Sequence, residues 1–183
     1  SQEWARNWPV VLASAAGVAL STVHIYSLGV MIAPLEAEFG WSRAQISSIY
    51  SVFMIGIGLG GPCIGMAFDR LGGRAVYVGG LLAYGIGFLI ASRMEALWQG
   101  YLGLGALVGI GAAATGMTPA TGVLARWFDR RLGLATAVAY AGLAMGAMLL
   151  APLSRLMIDA HGWRWAYNAL GIGMLALVAV VLV

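Results

Sequence analysis

The chain has 183 residues, of which 61% are hydrophobic and only 9% are charged, and its mean hydropathy is +0.89. Soluble domains carry about 25% charged residues, so this composition excludes a water-soluble fold, which would have to expose large apolar patches. The net charge of +3 comes with arginine as the only basic residue type apart from histidine. The arginines lie in short loops, which indicates membrane topology rather than a nucleic-acid-binding surface.

The apolar residues come in runs of about 20, the length of helix that crosses a hydrocarbon core. They predict an all-α membrane protein with six transmembrane helices, because each segment must satisfy its own backbone polar groups in lipid. The strands of a β-barrel would alternate in polarity instead. The expected helices run from about Trp8 to Ile32, Ala44 to Ala67, Ala75 to Ser92, Leu97 to Leu124, Leu132 to Met157 and Trp165 to Val183.

The loops between these helices predict the orientation. With the N-terminus inside, more arginines lie on the cytoplasmic side than outside, as the positive-inside rule requires. The inner arginines are Arg6, Arg70, Arg74, Arg126, Arg130 and Arg131, and the outer ones are Arg43, Arg93, Arg155 and Arg164. We therefore expect a multi-pass protein of the cell inner (plasma) membrane with a cytoplasmic N-terminus.

Two local patterns describe how the helices begin and pack. Ser42, followed three residues later by Gln45, predicts a capping box at the start of the second helix. Pairs of glycines four residues apart let two helix backbones approach closely. These pairs are Gly56/Gly60, Gly61/Gly65, Gly105/Gly109 and Gly142/Gly146. Packing within a bundle is the plain interpretation, and the alternative is that some of these faces slide as the protein changes state.

The turn after the second helix concentrates charge in apolar surroundings. Its sequence, GMAFDRLGGR, resembles the loop motif G-x-x-x-D-R-x-G-x-R of the major facilitator superfamily of secondary transporters, which lies at the same position. The resemblance implies a gating motif made of Gly65, Asp69, Arg70, Gly72 and Arg74. Asp69 would latch the cytoplasmic side closed against a helix terminus in the other half of the transporter, where a carboxylate is favoured. Gly73 departs from the motif, since a basic residue is common there, and an ordinary solvated turn is the alternative.

A second stretch narrows the resemblance. The sequence RWFDRRLGLA, followed by an Ala-Gly-x-x-x-Gly segment, is similar to the region between the fourth and fifth helices of monocarboxylate transporters and of bacterial oxalate/formate exchangers. Its charged residues are Arg126, Asp129, Arg130 and Arg131. The resemblance implies that residues 1–183 form the N-terminal six-helix bundle of a major facilitator fold, a 3+3 inverted repeat, and that the C-terminal six-helix half is absent from this chain.

Polar side chains in the middle of the spans are the candidates for contact with a substrate, because they are costly in lipid. His24 is either a proton carrier or a neutral packing residue. The resemblance places Tyr26 where mammalian monocarboxylate carriers have a functional lysine, which puts a lysine-based proton-coupling step in question. Tyr26 can still donate a hydrogen bond to a carboxylate.

The fourth and fifth helices add further candidates. Thr115, Thr118 and Thr121 lie around Pro119, so their hydroxyls are expected to repair the helix, with contact to a cavity as the alternative for Thr115 and Thr118. Tyr140 resembles the aromatic cavity position of the oxalate/formate exchangers. No arginine lies in the middle of a predicted span, so the resemblance implies that the countercharge for a carboxylate comes from the other half.

The function that the resemblance implies is half of a secondary active transporter for a monocarboxylate or related organic anion, working by alternating access through proton symport or anion exchange. A carrier for a neutral solute or drug and a non-transporting membrane scaffold subunit are the alternatives. An enzyme is not expected, because the sequence offers no serine–histidine pair for an intramembrane protease. No cofactor, metal or nucleic acid is expected; the expected partners are the substrate, protons, the C-terminal half and the lipid bilayer.

Overall fold

A computed structural model describes residues 2–182 of the chain, apart from the side chains of residues 2, 3, 5, 6, 26–28, 151 and 180–182. This described part consists of helices joined by short connections. The helices are α1 (Gln2–Ser21), α2 (Val23–Phe39), α3 (Arg43–Leu71), α4 (Gly73–Ser92), α5 (Leu97–Gly100), a π-helix (Tyr101–Leu107), α6 (Val108–Thr115), α7 (Met117–Trp127), α8 (Leu132–His161) and α9 (Trp163–Leu182).

Five helical segments of the described part are long and apolar enough to cross a membrane. They are Asn7–Phe39, Arg43–Leu71, Gly73–Ser92, Leu97–Trp127 and Leu132–His161. Each coincides with an expected span, and all but the third extend beyond their expected C-terminal ends, the first of them farthest. The sixth expected span corresponds to α9, but a sixth membrane crossing and the 3+3 repeat remain predictions.

Successive spans run in opposite directions, so the bundle has two ends. We call them the Asp69 end, where α3 and α7 finish, and the Glu38 end, where α2 finishes and α9 begins. At the Asp69 end, Asn7 Nδ2 of α1 donates a hydrogen bond of 2.9 Å to the Trp127 carbonyl of α7. This bond ties the beginning of the first span to the end of the fourth.

The boundaries of α3 show how local sequence sets the helix ends. The predicted capping box is confirmed: the Gln45 N–H donates to Ser42 Oγ at 3.3 Å, and the Ser42 N–H donates to Gln45 Oε1 at 2.9 Å. At the other end, Gly72 has a φ of 82°, a conformation that glycine adopts without strain because it has no Cβ. The chain therefore turns directly from α3 into α4.

Glycines lie at the closest helix crossings. A Cβ atom on Gly56 of α3 would lie 3.3 Å from the Cα of Gly109 in α6, and one on Gly142 of α8 would overlap the Ala15 carbonyl of α1. At the α4–α9 crossing, a Cβ on Gly85 would lie 2.7 Å from a side-chain carbon of α9. Spans one and five and spans two and four therefore pack as close pairs, and so do the third span and α9.

Two helices keep an open face. The most apolar stretch of α3 is only 17% buried and that of α8 is 24% buried, whereas that of Leu97–Trp127 is 67% buried. On α3, a Cβ on Gly61 or Gly65 would meet nothing within 4 Å, and Cys63 between them is exposed. One of the predicted glycine pairs therefore has no packing role among the described helices.

Candidate functional site

A pocket of about 270 Å³ opens between the first, second, fourth and fifth spans. Its walls include Ser21, Thr22, Gly61, Gly116, Thr118 and Leu143. All of its lining side chains are uncharged, so it offers hydroxyl groups and apolar surface but no countercharge.

The two helix breaks within the spans meet at this pocket. The first span is interrupted at Thr22, between α1 and α2, and the fourth at Gly116, between α6 and α7. A Cβ on Gly116 would lie 3.5 Å from Ser21 Oγ, so the two breaks are adjacent. Interrupted backbone at membrane depth is tolerated where it is buried in protein or lines a cavity.

Three hydroxyls satisfy the backbone at the Thr22 break. Ser21 Oγ donates to the Val18 carbonyl at 2.7 Å, and Thr22 Oγ1 donates to the Ala19 carbonyl at 2.6 Å. The hydroxyl of Tyr84, from α4, donates to the Ser21 carbonyl at 3.1 Å. The Ala19 carbonyl also accepts from the Thr22 backbone N–H at 3.2 Å, so the side-chain hydroxyls add to the backbone hydrogen bonding at this helix end.

His24 lies in the core of the bundle. Its ring is fully buried, and the ring centres of Phe53 and Phe88 lie 4.6 Å and 6.3 Å from its own. It therefore packs among aromatic rings rather than on the wall of the pocket. Tyr26, the other candidate of the first span, lies outside the described side chains.

The candidates of the fourth and fifth spans separate into two groups. Thr118 is exposed and lines the pocket, whereas Thr115 is buried and donates to the Gly111 carbonyl at 2.9 Å. The hydroxyl of Tyr140 lies 2.7 Å from Thr121 Oγ1, which itself donates to the Met117 carbonyl at 2.8 Å. Tyr140 therefore ties α8 to α7 about one turn from the pocket, on the side of the Asp69 end.

The charged turn lies at the surface of the bundle. Asp69, Arg70 and Arg74 are exposed, while Gly65 and Gly72 are half-buried. Among the described side chains, neither Asp69 nor Arg70 takes part in an ion pair. The turn thus presents its acidic group outward.

Phe68 anchors this turn, although the motif analysis did not single it out. The ring is 6% exposed and lies beneath two glycines: a Cβ on Gly73 would lie 2.8 Å from Phe68 Cε2, and one on Gly122 would lie 3.0 Å from Cε1. The guanidinium carbon of Arg126 lies 4.9 Å from the ring centre, a cation–π distance. The remaining loop candidates, Asp129, Arg130 and Arg131, are exposed.

A second polar cluster, at the Glu38 end, was also missed. One carboxylate oxygen of Glu38 accepts from Trp163 Nε1 at 2.6 Å, and the other accepts from Arg164 Nη2 at 2.8 Å. Arg164 Nη1 donates further to the Ser92 carbonyl at 3.4 Å. The cluster joins the ends of α2 and α4 to the start of α9. Two features of the sequence could have indicated this cluster. Glu38 is an acidic residue at the end of an apolar run, and a Trp-Arg pair lies at the start of the sixth expected span, on the same side of the membrane in the predicted topology.

Metal binding has no candidate in the described part of the chain, where no three His, Cys, Asp or Glu side chains form a suitable group. The chemistry of the pocket is therefore hydrogen bonding by hydroxyls within apolar walls.

Known proteins resemble this chain over most of its length. The family model described as Major Facilitator Superfamily matches residues 14–183. Monocarboxylate transporter 11 of Homo sapiens is 37% identical over 167 residues, which cover 90% of this chain and 35% of that protein. Monocarboxylate transporter 2 of Mus musculus is 30% identical over 166 residues, covering 90% and 34%, and monocarboxylate transporter 1 of Homo sapiens is 28% identical over 165 residues, covering 90% and 33%.

The chain spans about a third of the length of these relatives. The resemblance predicted from the two loop motifs is confirmed, and the relatives are transporters rather than enzymes. Together with its membrane-spanning helices, these findings describe a multi-pass membrane protein. The chain belongs to the major facilitator superfamily.

Proposed function

We propose that this chain forms the N-terminal half of a secondary active transporter that moves a small organic anion, a monocarboxylate or a close relative, by alternating access. The single observation that carries the proposal is the pocket of about 270 Å³ where the two helix breaks meet. The similarity to named monocarboxylate transporters supports the substrate class.

The position of the pocket suits a transport site. Secondary transporters bind their substrates near the middle of the membrane, where discontinuous helices expose backbone and polar side chains. Here the breaks at Thr22 and Gly116 lie within the first and fourth spans and are adjacent to each other in the lining of the pocket. A hydroxyl such as that of Thr118 can donate to a carboxylate there.

The other half of the transporter would complete the site. The open faces of α3 and α8 border the pocket through Gly61 and Leu143, and they offer a surface against which a second bundle can pack. The pocket lining is uncharged, so the countercharge for an anion would come from the opposite half. In this arrangement the Asp69 end faces the cytoplasm, and Asp69 contacts a helix terminus of the second bundle.

The pairing of helices supports an inverted repeat. If spans one to three are related to spans four to six by a two-fold axis, the pair of spans one and five must correspond to the pair of spans four and two. Both pairs are closely packed, and spans three and six also pack against each other. These three pairings are ones that a 3+3 repeat would produce, and they support the proposed repeat.

Transport by the full-length protein tests the proposal. We expect proteoliposomes that contain it to take up at least one of lactate, pyruvate, formate and oxalate. The Thr118→Val variant should reduce that uptake several-fold by removing a pocket hydroxyl. Thr136→Val is the matched control, because Thr136 also lies on a span but its hydroxyl donates to the Leu132 carbonyl outside the pocket. Movement of a neutral solute with none of these acids would overturn the proposal.

The driving force separates the two modes of transport. Uptake driven by an inward proton gradient into vesicles without internal anion would identify symport. Uptake that requires a preloaded anion and does not respond to the proton gradient would identify exchange.

A further inference from the structure

Tyr84 of α4 forms hydrogen bonds on both sides of the break in the first span. Its hydroxyl donates to the Ser21 carbonyl at 3.1 Å, and its oxygen accepts a hydrogen bond from the backbone of His24. Ser21 is the last residue of α1, and His24 is the second residue of α2. The final carbonyls and the first N–H groups of helices lack intrahelical partners. One phenol group therefore satisfies a backbone group of each helix.

Tyr84 is itself fixed in place by its surroundings. Its side chain is fully buried, and its ring is stacked on Phe88 with a centre-to-centre distance of 5.2 Å. A Cβ atom on Gly111 of α6 would lie 2.8 Å from both the Cβ and the backbone nitrogen of Tyr84, so α4 and α6 touch at this residue. Because α6 ends directly before the break at Gly116, Tyr84 contacts both of the interrupted spans that meet at the pocket.

We propose that Tyr84 is a positioning residue for the pocket. Its hydroxyl fixes the junction between α1 and α2, and with it the orientation of Ser21 and Thr22, which line the pocket. Other arrangements of the junction would leave a buried carbonyl or N–H group unpaired, which is costly. Without the hydroxyl this cost no longer separates the arrangements, so only a fraction of the molecules has the pocket in the form that binds a substrate.

The inference has two parts that can be tested separately. The effect on substrate binding rests on the proposed function. The effect on the junction between α1 and α2 does not, because it follows from the hydrogen bonds of Tyr84 alone.

Tyr167 of α9 provides a matched control within the same group of rings. It is also fully buried, and its ring is stacked on Phe88 at 5.7 Å. Its hydroxyl, however, forms no hydrogen bond with the residues that the structure describes. Tyr84→Phe and Tyr167→Phe therefore remove the same atom from similar surroundings, and only the first removes bonds to the described backbone.

Amide hydrogen exchange of the full-length protein in detergent tests the junction without any substrate. In Tyr84→Phe, we expect the N–H groups of residues 21–25 to exchange roughly tenfold faster, because the junction opens more often once a buried hydrogen bond is lost. Residues 166–170 of α9 are the internal reference and should keep their rate. In Tyr167→Phe both segments should keep their rates.

Two outcomes of the exchange experiment would overturn the inference. The first is an unchanged rate at residues 21–25 in Tyr84→Phe. The second is equal acceleration of both segments, or failure of this variant to fold, since either result would mean that the hydroxyl stabilises the whole bundle rather than the junction.

Transport kinetics of the full-length protein test the effect on the pocket. Uptake of lactate, pyruvate, formate and oxalate is measured in proteoliposomes. For each acid that is taken up, Tyr84→Phe should raise the KM by roughly threefold to tenfold with little change in kcat, because fewer molecules are competent to bind at any moment. A loss of folded protein would lower the maximal rate instead. Tyr167→Phe should keep both constants.

The result for the KM separates this inference from the proposed function. An unchanged KM in Tyr84→Phe would overturn the role of Tyr84 in the pocket while leaving transport of organic anions intact. If the unaltered protein moves none of the four acids, the proposed function and the effect on binding fall together, and hydrogen exchange still decides whether Tyr84 holds the junction.

Discussion

At the scale of single residues, Phe68 determines how the charged turn is held. Its ring fills the space that a side chain at position 73 or 122 would need, and Arg126 covers it from the surface. Gly73, which departs from the family motif, is therefore explained by packing: the basic residue that is common at this position would collide with the ring.

Gly73→Ala should lower the stability of the bundle. The added Cβ would lie 2.8 Å from Phe68 Cε2, and overpacking of this kind costs about 1–3 kcal/mol. Gly65→Ala is the control, because a Cβ there meets nothing within 4 Å and alanine favours a helix by up to about 1 kcal/mol. Thermal unfolding of the purified protein in detergent measures both. Equal melting temperatures for the two variants would show that the Phe68 ring can move to make room for a methyl group at position 73.

Motif analysis could not have found Phe68. The motif predicted the position and exposure of Asp69 and Arg70, because charge in an apolar chain goes to the ends of spans. Which side chain fills the space beneath them depends on α7, which comes from a distant part of the sequence, as well as on α4, which follows the turn directly. Likewise, the positions of Thr115 and Tyr140 were predicted as polar candidates, but the hydrogen bonds that occupy their hydroxyls depend on neighbouring turns and helices.

At the scale of helices, glycine pairs set which spans touch. The spacing of Gly142 and Gly146 predicted a close crossing, and the structure shows that its partner is α1, at Ala15 and Ala19. The partner could not be predicted, since spacing within one helix carries no information about the other. The break at Thr22 was also missed, because neither glycine nor proline marks it in the sequence.

Gly142→Ala should weaken the α1–α8 crossing. The new methyl group would overlap the Ala15 carbonyl, so the helices must separate, at a cost of about 1–3 kcal/mol. Gly133→Ala on the same helix, where nothing lies within 4 Å, should leave the melting temperature unchanged or raise it slightly. An unchanged melting temperature for Gly142→Ala would mean that α8 can shift freely along α1.

The Glu38–Arg164 contact should contribute modestly. Both side chains are about two-fifths exposed, at 42% and 41%, and pairs with such exposure are worth about 0–1 kcal/mol. A double-mutant cycle of Glu38→Gln and Arg164→Gln in urea or thermal unfolding should give a coupling of about 0.5–1 kcal/mol that decreases with salt. The more exposed pair Arg155–Asp159 is the reference and should couple less. A larger coupling in the reference pair would contradict the role of Trp163 and the Ser92 carbonyl in orienting the Glu38 cluster.

At the scale of the whole molecule, the fold class could be predicted from the sequence, whereas the pocket between the spans could not. Apolar length fixes the number and rough limits of the first five spans, because lipid leaves helices as the only solution for these segments. The pocket arises where the first, second, fourth and fifth spans leave space, and that space depends on packing between all of them. Sequence reasoning therefore indicated the lining residue Thr118 but not Ser21, which lines the same pocket.

Asp69→Asn should separate folding from function. Asp69 is exposed and forms no ion pair with a described residue, so its charge should change the stability of this bundle by less than about 0.5 kcal/mol. In the full-length protein, we expect the same change to slow transport several-fold, because the latch between the halves loses its charge. Thermal unfolding of the present chain and uptake by the full-length protein are the two measurements. A normal uptake rate, or a large loss of stability in the bundle alone, would contradict the latch.

The exposure of Cys63 has a practical consequence. It is the sole thiol of this chain, and it sits on the open face of α3, between two glycines that leave space around it. A maleimide dye or a spin label can therefore be attached at one defined point without any engineered attachment site in this region. If a second bundle packs on α3 as proposed, the rate of this reaction would report when that bundle moves away.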